Sequence, residues 1–315
     1  MKHKLTRILI TIIIFTFLLN QPVFARNGES AYLLPGSDTS VHIGSGVRIA
    51  LIDTGISCKY IDGSNILAGK NYVFPDRDTD DLVGHGTAIA GIILGSEALG
   101  IEGVASGVEI VPLVFYSRYI SGVTKNGGIE TICSAIYDAV DVYNCRIINI
   151  SSGITIDNDR LREAIAYAEE KNVLVVSAVG NSNRNSPKDV YYPAAYETVI
   201  GVGAADEKNE VAYFSQRNYS VKLLAPGTNI YTVPINNSSK PVKVNGSSYA
   251  AAFVTGAAAL LLEENPELTA AQIRELLYQS AIDLGPEGYD TETGWGMVDI
   301  SKALSELSST GKLLP

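Results

Sequence analysis

From residue 47 onward, short β-branched apolar runs alternate with stretches whose apolar positions recur at helical spacing. Residues 47–52 read as a buried strand, and 109–115, 146–150, 173–178, 199–204 and 221–225 repeat the pattern. Between them Ile129, Ile132, Ile136, Ala139, Val140 and Tyr143 line one face of a predicted helix, as do Leu161, Ala164, Ile165 and Ala168. Residues 250–264 are almost all small or apolar, which predicts a helix buried on every side rather than an amphipathic one. Strand then helix, repeated, gives an α/β fold: a mostly parallel sheet with helices on both faces. In such sheets the working residues gather beyond the carboxyl ends of the strands.

Three positions could carry chemistry, the first of them at such a place. Asp53 ends the first predicted strand and is followed by Thr54-Gly55, although Asp-x-Gly also marks an ordinary turn. His85 lies in Gly84-His85-Gly86-Thr87, at the start of a run of small residues that predicts a tightly packed helix. Of the chain's three histidines, His3 lies in the amino-terminal leader and His42 in a polar lead-in, so His85 is the candidate base near neutral pH. Ser248, in Gly246-Ser247-Ser248-Tyr249-Ala250, stands at the amino end of the all-apolar helix. Unpaired N–H groups and the positive end of the helix dipole there favour a developing oxyanion. Serine is also an ordinary helix cap, so the stretch taken alone leaves both readings open.

The leader changes the compartment. Lys2, Lys4 and Arg7 precede an apolar run over residues 8–19, and Val23-Phe24-Ala25 forms a small-x-small site, so residues 1–25 read as an export signal cleaved near Ala25. The run is short for a membrane span, and an uncleaved anchor is the competing reading. A secreted or extracytoplasmic chain is expected. The net charge of -10 argues against binding to nucleic acid or an anionic membrane surface. Cys58, Cys133 and Cys145 cannot all pair with one another and fit no zinc spacing, leaving a Cys133–Cys145 bridge or unpaired buried thiols.

The blocks around Asp53, His85 and Ser248, in that order, resemble the three signatures of the subtilases, the subtilisin-like serine peptidases. The likeness extends to Ile147-Ile148-Asn149-Ile150-Ser151-Ser152-Gly153, Val176-Ser177-Ala178-Val179-Gly180-Asn181, Ala225-Pro226-Gly227 and Gly294-Trp295-Gly296-Met297-Val298-Asp299. Two positions depart from the family pattern: Ala252 stands where proline is usual, and Ser152 where a larger apolar residue is common. The resemblance implies a subtilisin-like three-layer sandwich over residues 47–310 and a serine endopeptidase acting through an acyl-enzyme. Ser248 is implied as nucleophile, His85 as base, Asp53 as its orienting carboxylate and Asn181 as the oxyanion-hole amide. Ser151, Ser152, Gly153 and Gly180 are implied to flank the primary specificity pocket and to pair with an extended substrate. A catalytically silent module that binds peptides or a partner is the alternative.

Further expectations follow. A monomer acting on a protein or peptide substrate is expected, with no cofactor required for the chemistry. Subtilases often bind calcium, and Glu97 lies in a loop comparable in position to one of their calcium loops. The surrounding ligand pattern is not recognisable, so a structural calcium ion stays open and no metal ligand is assigned. The acidic loop over residues 76–81 reads as solvated, with a mild preference for basic residues near the cut as the alternative. Residues 26–46 are too few and too polar for an independent core, so they read as a short lead-in without a prodomain, and the chain is expected to reach an active fold unaided.

Overall fold

The computed structural model describes residues 42–119, 121–234 and 238–310. The expected signal, residues 1–25, and most of the lead-in lie outside the described residues. Seven strands form the central sheet: β1 Arg48–Asp53, β2 Lys70–Asn71, β3 Glu109–Val114, β4 Ile147–Ile150, β5 Leu174–Ala178, β6 Val199–Ala205 and β7 Leu223–Pro226. Their order is β7-β6-β5-β4-β1-β3-β2, and every pairing in this sheet is parallel.

Among the described residues six α-helices cover the sheet: α1 His85–Leu94, α2 Gly128–Asp141, α3 Asp159–Glu170, α4 Ser247–Glu264, α5 Ala270–Ser280 and α6 Ile300–Thr310. Alternation along the strands divides the core. Ile49 and Leu51 of β1 face the layer of α1, α4, α5 and α6, whereas Ala50 and Ile52 face α2 and α3. Burial on both faces is why the strands are continuous apolar runs rather than alternating ones. Helix α4 is buried from Ser247 to Leu262, as its composition requires.

The expected fold class therefore holds. β7 starts two residues later than expected because Val221 N–H is used in a turn, donating to the Asn218 carbonyl. The chain leaves β1 toward β3 on one side and returns to β4 on the other. This reversal makes the carboxyl ends of β1 and β4 the topological switch point, the place where sheets of this kind bind their ligands.

Candidate active site

Asp53 is the last residue of β1 and is 2% exposed. One carboxylate oxygen accepts the Thr54 N–H at 2.8 Å, and the two oxygens lie 2.8 and 3.0 Å from His85 Nδ1. His85 opens α1 after Gly84, whose φ of 100° is a left-handed turn that suits glycine. Gly86 then packs so close that a Cβ there would stand 2.3 Å from the Gly55 carbonyl oxygen. The helix start is thus pressed onto the turn after β1, and Gly86 N–H donates to Thr54 Oγ1 at 2.8 Å. Burial alone would draw the His85 imidazole down. The charge and hydrogen bond of Asp53, with Asp81 behind, outweigh it and hold the ring above its ordinary range.

Asp81 is the unexpected member of the acidic loop. Asp76, Asp78 and Asp80 are exposed as expected, but Asp81 is half-buried and caps α1. Its carboxylate accepts from the N–H groups of Val83, Gly84 and Thr87 and from Thr87 Oγ1 at 2.5–2.9 Å. An acceptor just ahead of Gly-His-Gly-Thr was the available signal.

Opposite α1, helix α4 presents Ser248, 7% exposed, as its second residue, so the Ser248 N–H has no partner within the helix. Ser247 N–H donates to Asn181 Oδ1 at 2.8 Å, which leaves the exposed asparagine its amide donors. The Ser248 hydroxyl is 3.4 Å from the Ser151 carbonyl and donates to it, not to His85; Ser151 Oγ donates back to the Ser248 carbonyl at 3.3 Å. A buried chain continues behind Ser151: Asn149 Nδ2 donates to Ser151 Oγ, and Thr255 Oγ1 of α4 donates to Asn149 Oδ1. This accounts for an asparagine, fully buried, inside an apolar strand.

The residues expected on sequence therefore meet as two groups. Asp53 and His85 are in direct contact, and Ser248, Ser151 and Asn181 gather at the head of α4. Ser152 and Gly153 follow β4, and Gly180 follows β5, where its N–H donates to Ser247 Oγ at 3.2 Å. Sequence reasoning missed Tyr249, whose ring centroid lies 5.7 Å from that of His85 and joins the two groups. Burial first, then the Asp53 charge, lifts its phenol to about 12, so it stays neutral. Cys58 is exposed, Cys133 and Cys145 are buried, and all three are free thiols. Among the described residues no group of three or more His, Cys, Asp or Glu could hold a metal ion, and Glu97 sits on a one-turn 3-10 helix. No described helix is long and apolar enough to cross a membrane.

A family model described as the subtilase family matches residues 44–296. The chain belongs to that family. It is 35% identical over 260 residues to subtilisin Savinase of Lederbergia lenta, covering 82% of this chain and 91% of that one. Among solved structures, fervidolysin from Fervidobacterium pennivorans, a keratinolytic enzyme related to subtilisin, superposes with a TM-score of 0.75 at 30% identity, covering 85% of this chain and 43% of its own. A lanthipeptide protease superposes with a TM-score of 0.73 at 26% identity, covering 85% and 90%. This subtilase is a serine endopeptidase with the subtilisin fold.

Proposed function

We propose that this subtilase cuts peptide bonds through Ser248, His85 and Asp53. The observation that carries the reading is the Asp53–His85 hydrogen bond beside the head of α4, where Ser248 and Asn181 sit together. In this reading the Ser248 hydroxyl turns from the Ser151 carbonyl to His85 Nε2. His85 takes its proton as Ser248 attacks the scissile carbonyl, while Asp53 holds the imidazole tautomer through Nδ1. The Asn181 amide and the Ser248 N–H receive the oxyanion. His85 then protonates the leaving amine, and water repeats the sequence on the acyl-enzyme. No cofactor enters these steps.

An extended peptide is the substrate, its backbone pairing with the segments after β4 and β5, namely Ser151, Ser152, Gly153 and Gly180. The leader pattern over residues 1–25 supports export, with the chain working outside the cytoplasmic membrane as a monomer. Labelling with a serine-directed fluorophosphonate tests the chemistry. Folded wild-type chain should label and Ser248→Ala should not. A folded wild-type chain that fails to label would support the silent peptide-binding module instead.

A further inference from the structure

We infer that Tyr191 closes the primary pocket, so that the residue on the acyl side of the cut must carry a small side chain: glycine, alanine or serine. The inference rests on the peptidase reading above. An acyl carbon within reach of Ser248, its oxygen turned to Asn181, sends the preceding side chain into the gap between the ends of β4 and β5. These strands are adjacent and parallel, with Ile150 paired to Ser177, so the walls of the gap are the residues that follow, Ser151–Gly153 and Ala178–Gly180.

The third wall is the segment containing Tyr191 and Tyr192. Tyr192 and Ile154 exchange both backbone hydrogen bonds, at 2.8 and 2.9 Å, which fixes this segment beside the β4 end. The Tyr192 side chain turns to the α2 and α3 layer and lies 4.9 Å from the Tyr196 ring. In extended backbone the neighbouring side chain points the other way. Tyr191 accordingly points at the two glycine walls. A Cβ on Gly180 would stand 2.6 and 2.8 Å from Tyr191 Cδ2 and Cε2, and one on Gly153 would stand 3.2 Å from Tyr191 Cβ. The residue thus spans the gap from one wall to the other, its Cβ beside Gly153 and its ring over Gly180, where the absence of a side chain makes room for it.

The ring is also held in place. Its hydroxyl donates to Ser182 Oγ at 3.2 Å. Buried Gln216 donates from Nε2 to the carbonyls of Ser186 and Asp189 at 3.0 and 2.7 Å, and from its backbone N–H to the Gly180 carbonyl at 3.1 Å. Asn218 Nδ2 adds a bond to the Asp189 carbonyl. The loop leading to Tyr191 is therefore tied to the β5 end, and swinging the ring out would break its bond to Ser182 and its contact with Gly180. A methyl or hydroxymethyl group can rest on the face of the phenol; a leucine or phenylalanine side chain has nowhere to go.

The test is a set of fluorogenic peptides differing only at the residue before the cut, Ala against Phe and Leu. It is run on wild type, Tyr191→Ala and Tyr191→Phe, with fluorophosphonate titration counting competent Ser248 in each. Wild type should favour Ala over Phe in kcat/KM. In Tyr191→Ala the Phe-to-Ala ratio should rise by about ten- to two-hundredfold, the discrimination that small size differences command in an apolar pocket. Tyr191→Phe, which keeps the ring, should still exclude Phe and Leu. A wild-type chain that labels and prefers Phe or Leu overturns the inference whether or not the variants fold, and so does an unchanged ratio in a fully labelled Tyr191→Ala. A wild-type chain that does not label overturns the peptidase reading itself.

Discussion

His85 can accept a proton from Ser248 only while its imidazole is neutral, and Asp53 and Asp81 together hold that imidazole above its ordinary value of 6.5. The rise of kcat/KM with pH should therefore have its midpoint above 6.5. Asp53→Asn removes the charge and should move the midpoint down while the rate itself falls, which a pH series on both proteins would show. Linkage gives the matching sign for stability. Because the folded-state pKa is raised, the pair's contribution is full below the unfolded value and fades as pH climbs through the folded one. Denaturant melts should find Asp53→Asn more destabilising below 6.5 than in alkali. In the proposed mechanism Asn181 acts on charge that exists only in the transition state, so Asn181→Ala should lower kcat with little change in KM. The expected loss, about a hundredfold or more, is carried over from subtilisin's own asparagine; a loss below about tenfold would remove Asn181 from the oxyanion hole.

Helix α1 delivers His85 because its amino end is pinned by Asp81, and the cap and the charge of that residue can be separated. Asp81→Ala leaves the N–H groups of Val83, Gly84 and Thr87 without their acceptor and should cost about 1–2 kcal/mol, as for other helix caps. It should also lower the midpoint of the pH profile. Asp81→Asn keeps an acceptor oxygen but drops the charge, so the midpoint should fall with a smaller loss of stability. If the two variants melted alike and left the profile unmoved, Asp81 would be an ordinary loop acid. The central strands and α2, α3 and α4 were legible in the sequence because continuous apolar runs and helical spacing survive without knowledge of partners. β2 was not, since two residues carry no period, and α5 passed unread although Thr269 and Gln272 form a capping box that the sequence spells out. Asp53, His85 and Ser248 could be located because each sits at the end of a readable element. Tyr191 and Tyr249 could not, because their contacts join segments that only the fold brings together, whereas Asp81 passed unread although its partners lie within six residues of it.

The whole molecule divides its labour between the two ends of the sheet. The carboxyl ends hold the site, where a glycine turn and an exposed asparagine leave backbone and amide donors open. The amino ends carry arginine clamps between layers. Arg48, at the start of β1, bonds Glu109 at the start of β3 and the Tyr143 carbonyl after α2. Arg146, just before β4, donates to the carbonyls of Pro266 and Leu268 in the turn between α4 and α5, each at 2.7 Å. Arg274 of α5 reaches across to α3, meeting both Glu169 oxygens at 2.7 and 2.6 Å and the Thr198 carbonyl ahead of β6 at 2.9 Å. That pair is better shielded than Arg48–Glu109, with side chains 12% and 25% exposed against 34% and 43%, and it ties helices on opposite faces of the sheet. Arg274→Ala strands a half-buried carboxylate and a carbonyl together, which should cost about 2–3 kcal/mol, near the upper range for hydrogen bonds to charged groups. Because none of these atoms touches the Ser248 end, kcat/KM of the folded fraction should stay at the wild-type level while the urea midpoint falls. A variant that melts like wild type would make the clamp a surface ion pair of no consequence. One that loses turnover at full stability would mean that the two ends of the sheet are coupled.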